Sequence, residues 1–294
     1  MSVVVVGQIG RDLVLRSDGL PASGGSSSVV ERREMLGGKG ANQAVGLAQL
    51  GVPVALVGVV GDDPEGKSVL RQASDDGIDT TGVVRRGQTA LLVDLVDEPG
   101  SRRLFEDIPD STLVTVDDLE RAAAVFESAD TVSLQLQQPP ETVLTAARRA
   151  RARGARVVAD GAPQREIHEE LMESVDVIRA DAKEAELMAG EPVSSESAAT
   201  EFANRLLDSG PDLVAVALPD VGNLLVWRGG SRLFPLPEVE VIDPTGAGDA
   251  FMAGMIAALR RGEDATGAGE LAVAAASATV QRLGGRPDLK GLAC

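Results

Sequence analysis

The residues best suited to chemistry stand in the string DPTGAGDAF, residues 243–251. Gly246, Ala247 and Gly248 let backbone come close to a ligand, and behind them Phe251, Met255 and Leu259 recur at helical spacing. A small-residue turn that feeds a helix offers unpaired N–H groups at the positive end of the helix dipole. It can cradle a phosphoryl group without any basic side chain. Asp249 falls in the first turn beside that cradle, placed to take the proton of an alcohol as it attacks a γ-phosphate. This is kinase chemistry, and the absence of GK[ST] after the glycines separates it from a Walker A loop. A plainer role, with Asp249 only favouring a helix start, explains one residue of the string and leaves the rest without a reason. Residues 239–242, apolar and β-branched, read as a buried strand leading into the turn.

A second glycine-rich signal, LGGKGANQAVGLAQLG, spans residues 36–51. Gly37, Gly38 and Gly40 permit close approach, Lys39 brings a cation, and Asn42 in the following first turn can hydrogen-bond a hydroxyl. Ala41, Ala44, Val45 and Ala48 set the apolar face of a helix that Gly51 ends. Asp12 lies just past a first strand at residues 3–6, where the loops of a parallel sheet line a ligand crevice.

The elements that must hold these residues alternate as a parallel α/β fold requires. Strands are expected at residues 54–60, 131–136, 157–160, 175–178 and 213–218, and helices at 65–76, 117–128, from Pro140 to a stop at Gly154, after the 175–178 strand up to Gly190, and at 265–283. The last of these, rich in alanine, is a plausible wall for an adenine. Residues 13–36 and 88–108 interrupt the pattern. The first has a polar SGGSSS centre, and the second alternates apolar and polar residues around a turn at Glu98, Pro99 and Gly100, so the two together make a small β-sheet lid. Arg11, Arg102 and Arg103 fall where such a lid would close on a phosphate or carboxylate of the substrate.

The chain of 294 residues is 44% hydrophobic but only 2% aromatic, so aliphatic side chains fill its core. Its formal charge of −17 repels polyanions, which argues against nucleic acid and anionic membranes and demands local compensation wherever a nucleotide binds. Arg148, Arg149, Arg151, Arg153 and Arg156 read as a solvated helix face, and His168, the sole histidine, lacks partners for a metal site. With Cys294 as the sole cysteine, no basic leader and no apolar run of membrane length, the expectation is a cytoplasmic protein.

GGKGANQA and DPTGAGDAF, in this order and at this separation, resemble the two signatures of the ribokinase family, the PfkB-type carbohydrate and nucleoside kinases. VVGQIGRD (5–12), GDDPEG (61–66) and GIDT (77–80) are similar to further landmarks, so the resemblance covers nearly all of residues 1–294 as one kinase domain. It implies a doubly wound, mostly parallel sheet with helices on both faces, a small β lid shared across a homodimer, and transfer of the γ-phosphoryl of ATP to a sugar hydroxyl. By the same resemblance Asp249 is the catalytic base and Gly246, Ala247 and Gly248 the donors to the developing charge. Asp12, Gly38, Lys39, Asn42 and Gln137 would bind the sugar. Asp181, Glu184, Gly222, Thr245, Gly246 and Gly248 would meet the nucleotide, with Glu184 reaching Mg²⁺ through water. Asp243, Thr245, Thr279, Gly284 and Asp288 would hold K⁺. The chain departs from the family pattern at Gly10, Gln137, Asp181, Ala217 and Pro219. The acceptor is therefore expected to be a sugar or sugar-like alcohol, with ribose not implied. A nucleoside or sugar-phosphate kinase, or a catalytically silent sugar-binding regulator on the same fold, stand as alternatives.

Overall fold

The protein is described here by a computed structural model covering residues 1–97 and 102–293. Thirteen strands and ten α-helices are formed among the described residues. The strands are β1 Ser2–Val6, β2 Gly10–Ser17, β3 Val29–Gly37, β4 Val54–Val60, β5 Val83–Arg85, β6 Ala90–Asp97, β7 Arg102–Asp107, β8 Ala129–Gln135, β9 Arg156–Asp160, β10 Val177–Asp181, β11 Leu213–Leu218, β12 Gly222–Trp227 and β13 Gly230–Pro235. The helices are α1 Lys39–Gln49, α2 Pro64–Asp75, α3 Val116–Arg121, α4 Ala123–Glu127, α5 Pro140–Ala152, α6 His168–Met172, α7 Ala182–Ala189, α8 Glu196–Ser209, α9 Ala247–Arg260 and α10 Ala265–Val280.

Nine strands make the main sheet in the order β13-β12-β11-β10-β9-β8-β1-β4-β5, parallel except for the antiparallel pairings of β12 with β11 and β13. Strand alternation divides the core between its two faces. Val3 and Val5 of β1 join one apolar cluster with Val45, Leu47, Phe251 and Met255, while Val4 and Val6 join the other with Leu119, Phe126, Ala146 and Phe202. Each such aliphatic side chain contributes about 1.5–3 kcal/mol when fully withdrawn from water. α9 is buried on every side from Asp249 to Ala258, a more central position than the one apolar face read from its spacing.

The chain enters the sheet at β1 and its strand order turns there, with β8 on one side and β4 on the other. The carboxyl ends of parallel strands next to such a reversal form a crevice. Over it stands a separate four-stranded sheet, β3-β2-β6-β7, built from the two interrupting segments as expected. The turn anticipated at Glu98–Pro99–Gly100, like Cys294, lies outside the described residues.

The strand expected at 239–242 is not formed; β13 ends at Pro235, and the next regular element is α9. Pro237 and Pro244 remove backbone donors from this stretch, and its N–H groups go instead to turns and to α10: Ile242 N and Asp243 N both donate to the Val280 carbonyl. Val241 and Ile242 are 55% and 37% exposed, so the run is apolar because it lines a cavity. The helix expected at 117–128 is broken at Ala122 into α3 and α4, and the strand placed at 175–178 runs two to three residues later, carrying Arg179 and Asp181 to its carboxyl end.

Candidate active site

Asp249 sits in the first turn of α9, after a turn whose Gly246 has φ 74, the left-handed region that glycine tolerates best. Its carboxyl is 6% exposed and accepts a hydrogen bond from Asn42 Nδ2 at 3.0 Å. Burial pushes its pKa up to about 7, with the nearby Asp160 carboxylate adding to the rise, against the pull of the Asn42 hydrogen bond, Lys39 and Arg179. Asp12, on β2, is likewise raised to about 7 by burial and by Asp94 and Asp249, opposed by Arg102 and the Gly38 N–H. Its Oδ1 and the Oδ1 of Asn42 are buried without a hydrogen-bond partner. Buried acceptors left open in this way mark where a ligand hydroxyl would complete the network.

These groups line a cavity of about 250 Å³ between the main sheet and the small one. It gathers the expected Asp12, Gly38, Lys39, Asn42, Gln137, Asp181, Thr245, Gly246, Ala247, Gly248 and Asp249, and adds Gln8, Asp94, Arg102, Glu106, Asp160 and Arg179. Gln137 is held by Gln135 Nε2 at 3.0 Å, while Gln135 Oε1 accepts from the Gln8 N–H. Where Gly10 opens β2, a Cβ would stand 2.8 Å from Leu92 Cδ1, so an apolar side chain fills the space beside it. Of the three arginines expected at the lid, only Arg102 lines the cavity, and it is bound to Asp94; Arg11 pairs with Glu34 and Arg103 with Asp97.

A second cavity of about 550 Å³ adjoins the first and shares Arg179, Asp181, Pro244, Ala247 and Gly248 with it. Its walls are largely apolar, with Leu236, Val239, Val241, Val273, Ala276 and Val280, and Gly222 lies at its edge. The alanine-rich helix α10 forms one wall of this cavity. Asp181 and Glu184 form a capping box on α7: Asp181 Oδ1 accepts from the Glu184 N–H at 2.9 Å and Glu184 Oε2 from the Asp181 N–H at 2.8 Å. Glu184 Oε1 faces Lys39 Nζ at 3.4 Å. Burial works against the Lys39 charge, but Asp160, Glu184 and Asp249 outweigh it and hold its pKa above the ordinary lysine value.

The group expected to hold K⁺ is only partly assembled. Asp243, fully buried, accepts from Thr245 N, Thr245 Oγ1 and Gly284 N, which ties the turn before α9 to the segment after α10. Thr279 Oγ1 donates to the Ala275 carbonyl, and Asp288 is paired with Arg282. Among the described residues no group of three or more His, Cys, Asp and Glu side chains is arranged to hold a metal ion, and no helix is long and apolar enough to cross a membrane.

Residues 1–290 match the pfkB family carbohydrate kinase. The chain belongs to that family. It is 29% identical over 290 residues to the ribokinase of Haemophilus influenzae, covering 98% of this chain and 95% of that one. It is 33% identical over 291 residues to the ATP-dependent ribose-1-phosphate kinase of Halopiger xanaduensis, covering 97% and 93%. The solved structure of Arabidopsis thaliana ribokinase complexed with ribose and ATP superposes with a TM-score of 0.81 at 27% identity, over 99% of this chain and 97% of that one. The pfkB chain described here is therefore an ATP-dependent sugar kinase on the ribokinase-like fold, as the two glycine signatures implied.

Asp160 and Arg179 were not brought to notice by the signatures. Asp160 had a signal of its own, as the charged residue closing the otherwise apolar run 157–160 at the end of a parallel strand where ligands bind; Arg179, in the middle of β10, had none.

Proposed function

We propose that this pfkB kinase phosphorylates a hydroxyl of a small neutral sugar, with Asp249 as the base. The observation that carries this reading is the Asp249 carboxyl at the start of α9, raised to about 7 and opening on a cavity shared with Asp12 and Asn42. A base with a pKa near the working pH is the efficient choice for taking an alcohol proton. The step is in-line: the bond from the acceptor oxygen to the γ-phosphorus forms as the bond to the bridging oxygen breaks, the hydroxyl proton passes to Asp249, and the electron pair leaves with ADP. The N–H groups of Gly246 and Gly248 would meet the charge that develops, a kind of contact worth roughly 3 kcal/mol per donor, while the Ala247 N–H donates to the Pro244 carbonyl at 3.4 Å and would have to leave it to join them.

The acceptor cavity is lined by six carboxylates, from Asp12, Asp94, Glu106, Asp160, Asp181 and Asp249, against three cations, from Lys39, Arg102 and Arg179. A phosphorylated sugar would bring a further dianion into this field, and Arg102, the cation closest to hand for it, is already bound to Asp94. The open acceptors on Asp12 and Asn42 suit hydroxyl donors. The neighbouring cavity, apolar along α10, suits the base of ATP. The chemistry Mg²⁺ would supply here is neutralisation of the phosphate charge. Asp181, at the junction of the cavities, with Glu184 behind it in the same capping box, fits an ion that keeps several waters, and Lys39 is tethered to Glu184. K⁺ fits Asp243, Thr245 and Gly284, since among the described residues no basic side chain lies within ion-pair distance of the buried Asp243 carboxylate; Asp288, neutralised by Arg282, fits less well.

The small sheet would act as a lid over the acceptor. Its edge strands leave Val29, Val30 and Phe105 exposed at 49%, 52% and 61%, an apolar surface that a second copy of the chain would cover.

A substrate panel tests the reading. ADP release should be stimulated by neutral pentoses or hexoses and not by sugar phosphates or nucleosides, and should run faster in K⁺ than in an equal concentration of a large organic cation. Preference for a phosphorylated sugar would overturn the substrate class, and equal rates in the two salts would remove K⁺.

A further inference from the structure

Arg179 stands in the middle of β10, two residues before its carboxyl end, and lines both cavities. Its side chain is only 11% exposed. Nη1 donates to Asp160 Oδ1 at 2.9 Å, and Asp160 Oδ2 accepts from Gln43 Nε2 at 3.0 Å, while Gln43 Oε1 accepts from Ser133 Oγ at 2.8 Å. This buried chain of polar side chains fixes the guanidinium from below. Its upper side is not used in the same way: among the described residues the buried Nε has no hydrogen-bond partner and Nη2 makes no hydrogen bond.

The guanidinium also lies against the anion cradle itself. A Cβ built at Gly248 would stand 2.7 Å from Arg179 Nη2 and 2.9 Å from its Cζ, so the absence of a side chain at 248 is what admits the planar group onto the first turn of α9. The Phe251 ring, one turn along, has its centroid 6.0 Å from Cζ. Burial alone would discourage the charge, but Asp160, Glu184 and Asp249 together hold the arginine protonated. A residue needed only to neutralise Asp160 would have no reason to lie on the cradle with two N–H groups open.

We propose that Arg179 is a further catalytic residue of this kinase, donating from Nη2 to the γ-phosphoryl group as it passes from the nucleotide cavity to the acceptor. This rests on the reading that the turn before α9 takes that group. The planar fork of an arginine suits the equatorial oxygens of a transferring phosphoryl, over which negative charge spreads. Arg179 gives up no proton; the hydroxyl proton still goes to Asp249. Asp160 and Gln43 are positioning residues that act through it.

The test compares the natural chain with Arg179→Ala, Arg179→Lys and the double variant Asp160→Asn/Arg179→Met, which leaves no unpaired buried charge if the single variants fail to fold. Loss of one such donor should cut kcat on the order of 10²-fold with sugar KM little changed. Affinity for ADP with aluminium fluoride, a mimic of the transferring group, should fall by a similar factor while affinity for ADP alone holds. Added guanidinium ion should restore part of the Arg179→Ala rate where tetramethylammonium does not. If every folded variant turns over at the natural rate, or if ADP and ADP with aluminium fluoride weaken equally, Arg179 is structural and the proposal fails while the Asp249 reading stands. If the natural chain transfers phosphoryl to no sugar, both fall together.

Discussion

Asp249 and Asp12 share an unusual condition: each is raised to about 7, first by burial and then by a neighbouring carboxylate, Asp160 for Asp249 and Asp94 and Asp249 for Asp12. A base must be free of its proton before substrate arrives, so kcat/KM should climb as the pH rises through about 7 and level off above it. Asp160 is the carboxylate that adds to the rise of Asp249, and removing its charge with Asp160→Asn should move the climb to lower pH. For stability the sign is reversed. A carboxyl whose folded pKa lies above its ordinary 3.8 favours folding fully below 3.8, and that contribution is lost as the pH rises through about 7. Asp249→Asn should therefore melt at a higher temperature than the natural chain above neutrality, with the gap closing in acid. A flat kcat/KM profile through neutrality, or an Asn variant that melts lower at pH 8, would contradict this.

The turn before α9 is where an element's geometry and the chemistry meet. Gly246 has φ 74 and a Cβ there would stand 2.0 Å from the Gly285 carbonyl, whereas Gly51 has φ 76 with nothing within 4 Å. Alanine in the left-handed region costs about 1–2 kcal/mol at either place. Gly246→Ala should therefore lose more melting temperature than Gly51→Ala, and it alone should lose activity because the backbone must shift out of the cradle; equal losses in the two would contradict the close packing of the turn. Much of this was legible in the sequence. The unbroken apolar run of Val3 to Val6, the Gly stops at 51, 77, 154 and 190, and the two small-residue turns all act locally, through backbone conformation and side-chain character. The strand expected at 239–242 does not form because prolines on either side remove the pairing that its β-branched apolar residues would otherwise make. Arg179 stayed hidden for another reason: its meaning comes from Gly248, far along the chain, and only the folded backbone brings the two together.

At the scale of the whole molecule, the formal charge of −17 keeps polyanions at a distance, and the nucleotide cavity does little to offset it, with Arg179 and Lys183 balanced by Asp181 and Asp220. The anion is left to the helix start, to Arg179 and to the ions that accompany ATP. The same molecule offers an apolar outer face on its small sheet, at Val29, Val30 and Phe105. Sedimentation should give twice the 30.4 kDa of one chain, reduced towards one chain by Phe105→Asp; a natural chain that runs as a monomer at assay concentration would contradict a shared lid. All of this organisation converges on the carboxyl at 249, and the most direct measurement is single-turnover ADP formation by Asp249→Asn, with ATP binding followed in the same preparation. The rate should fall by about 10²–10⁴-fold with ATP affinity held; a variant that transfers phosphoryl to sugar at the natural rate would contradict the role of Asp249 outright.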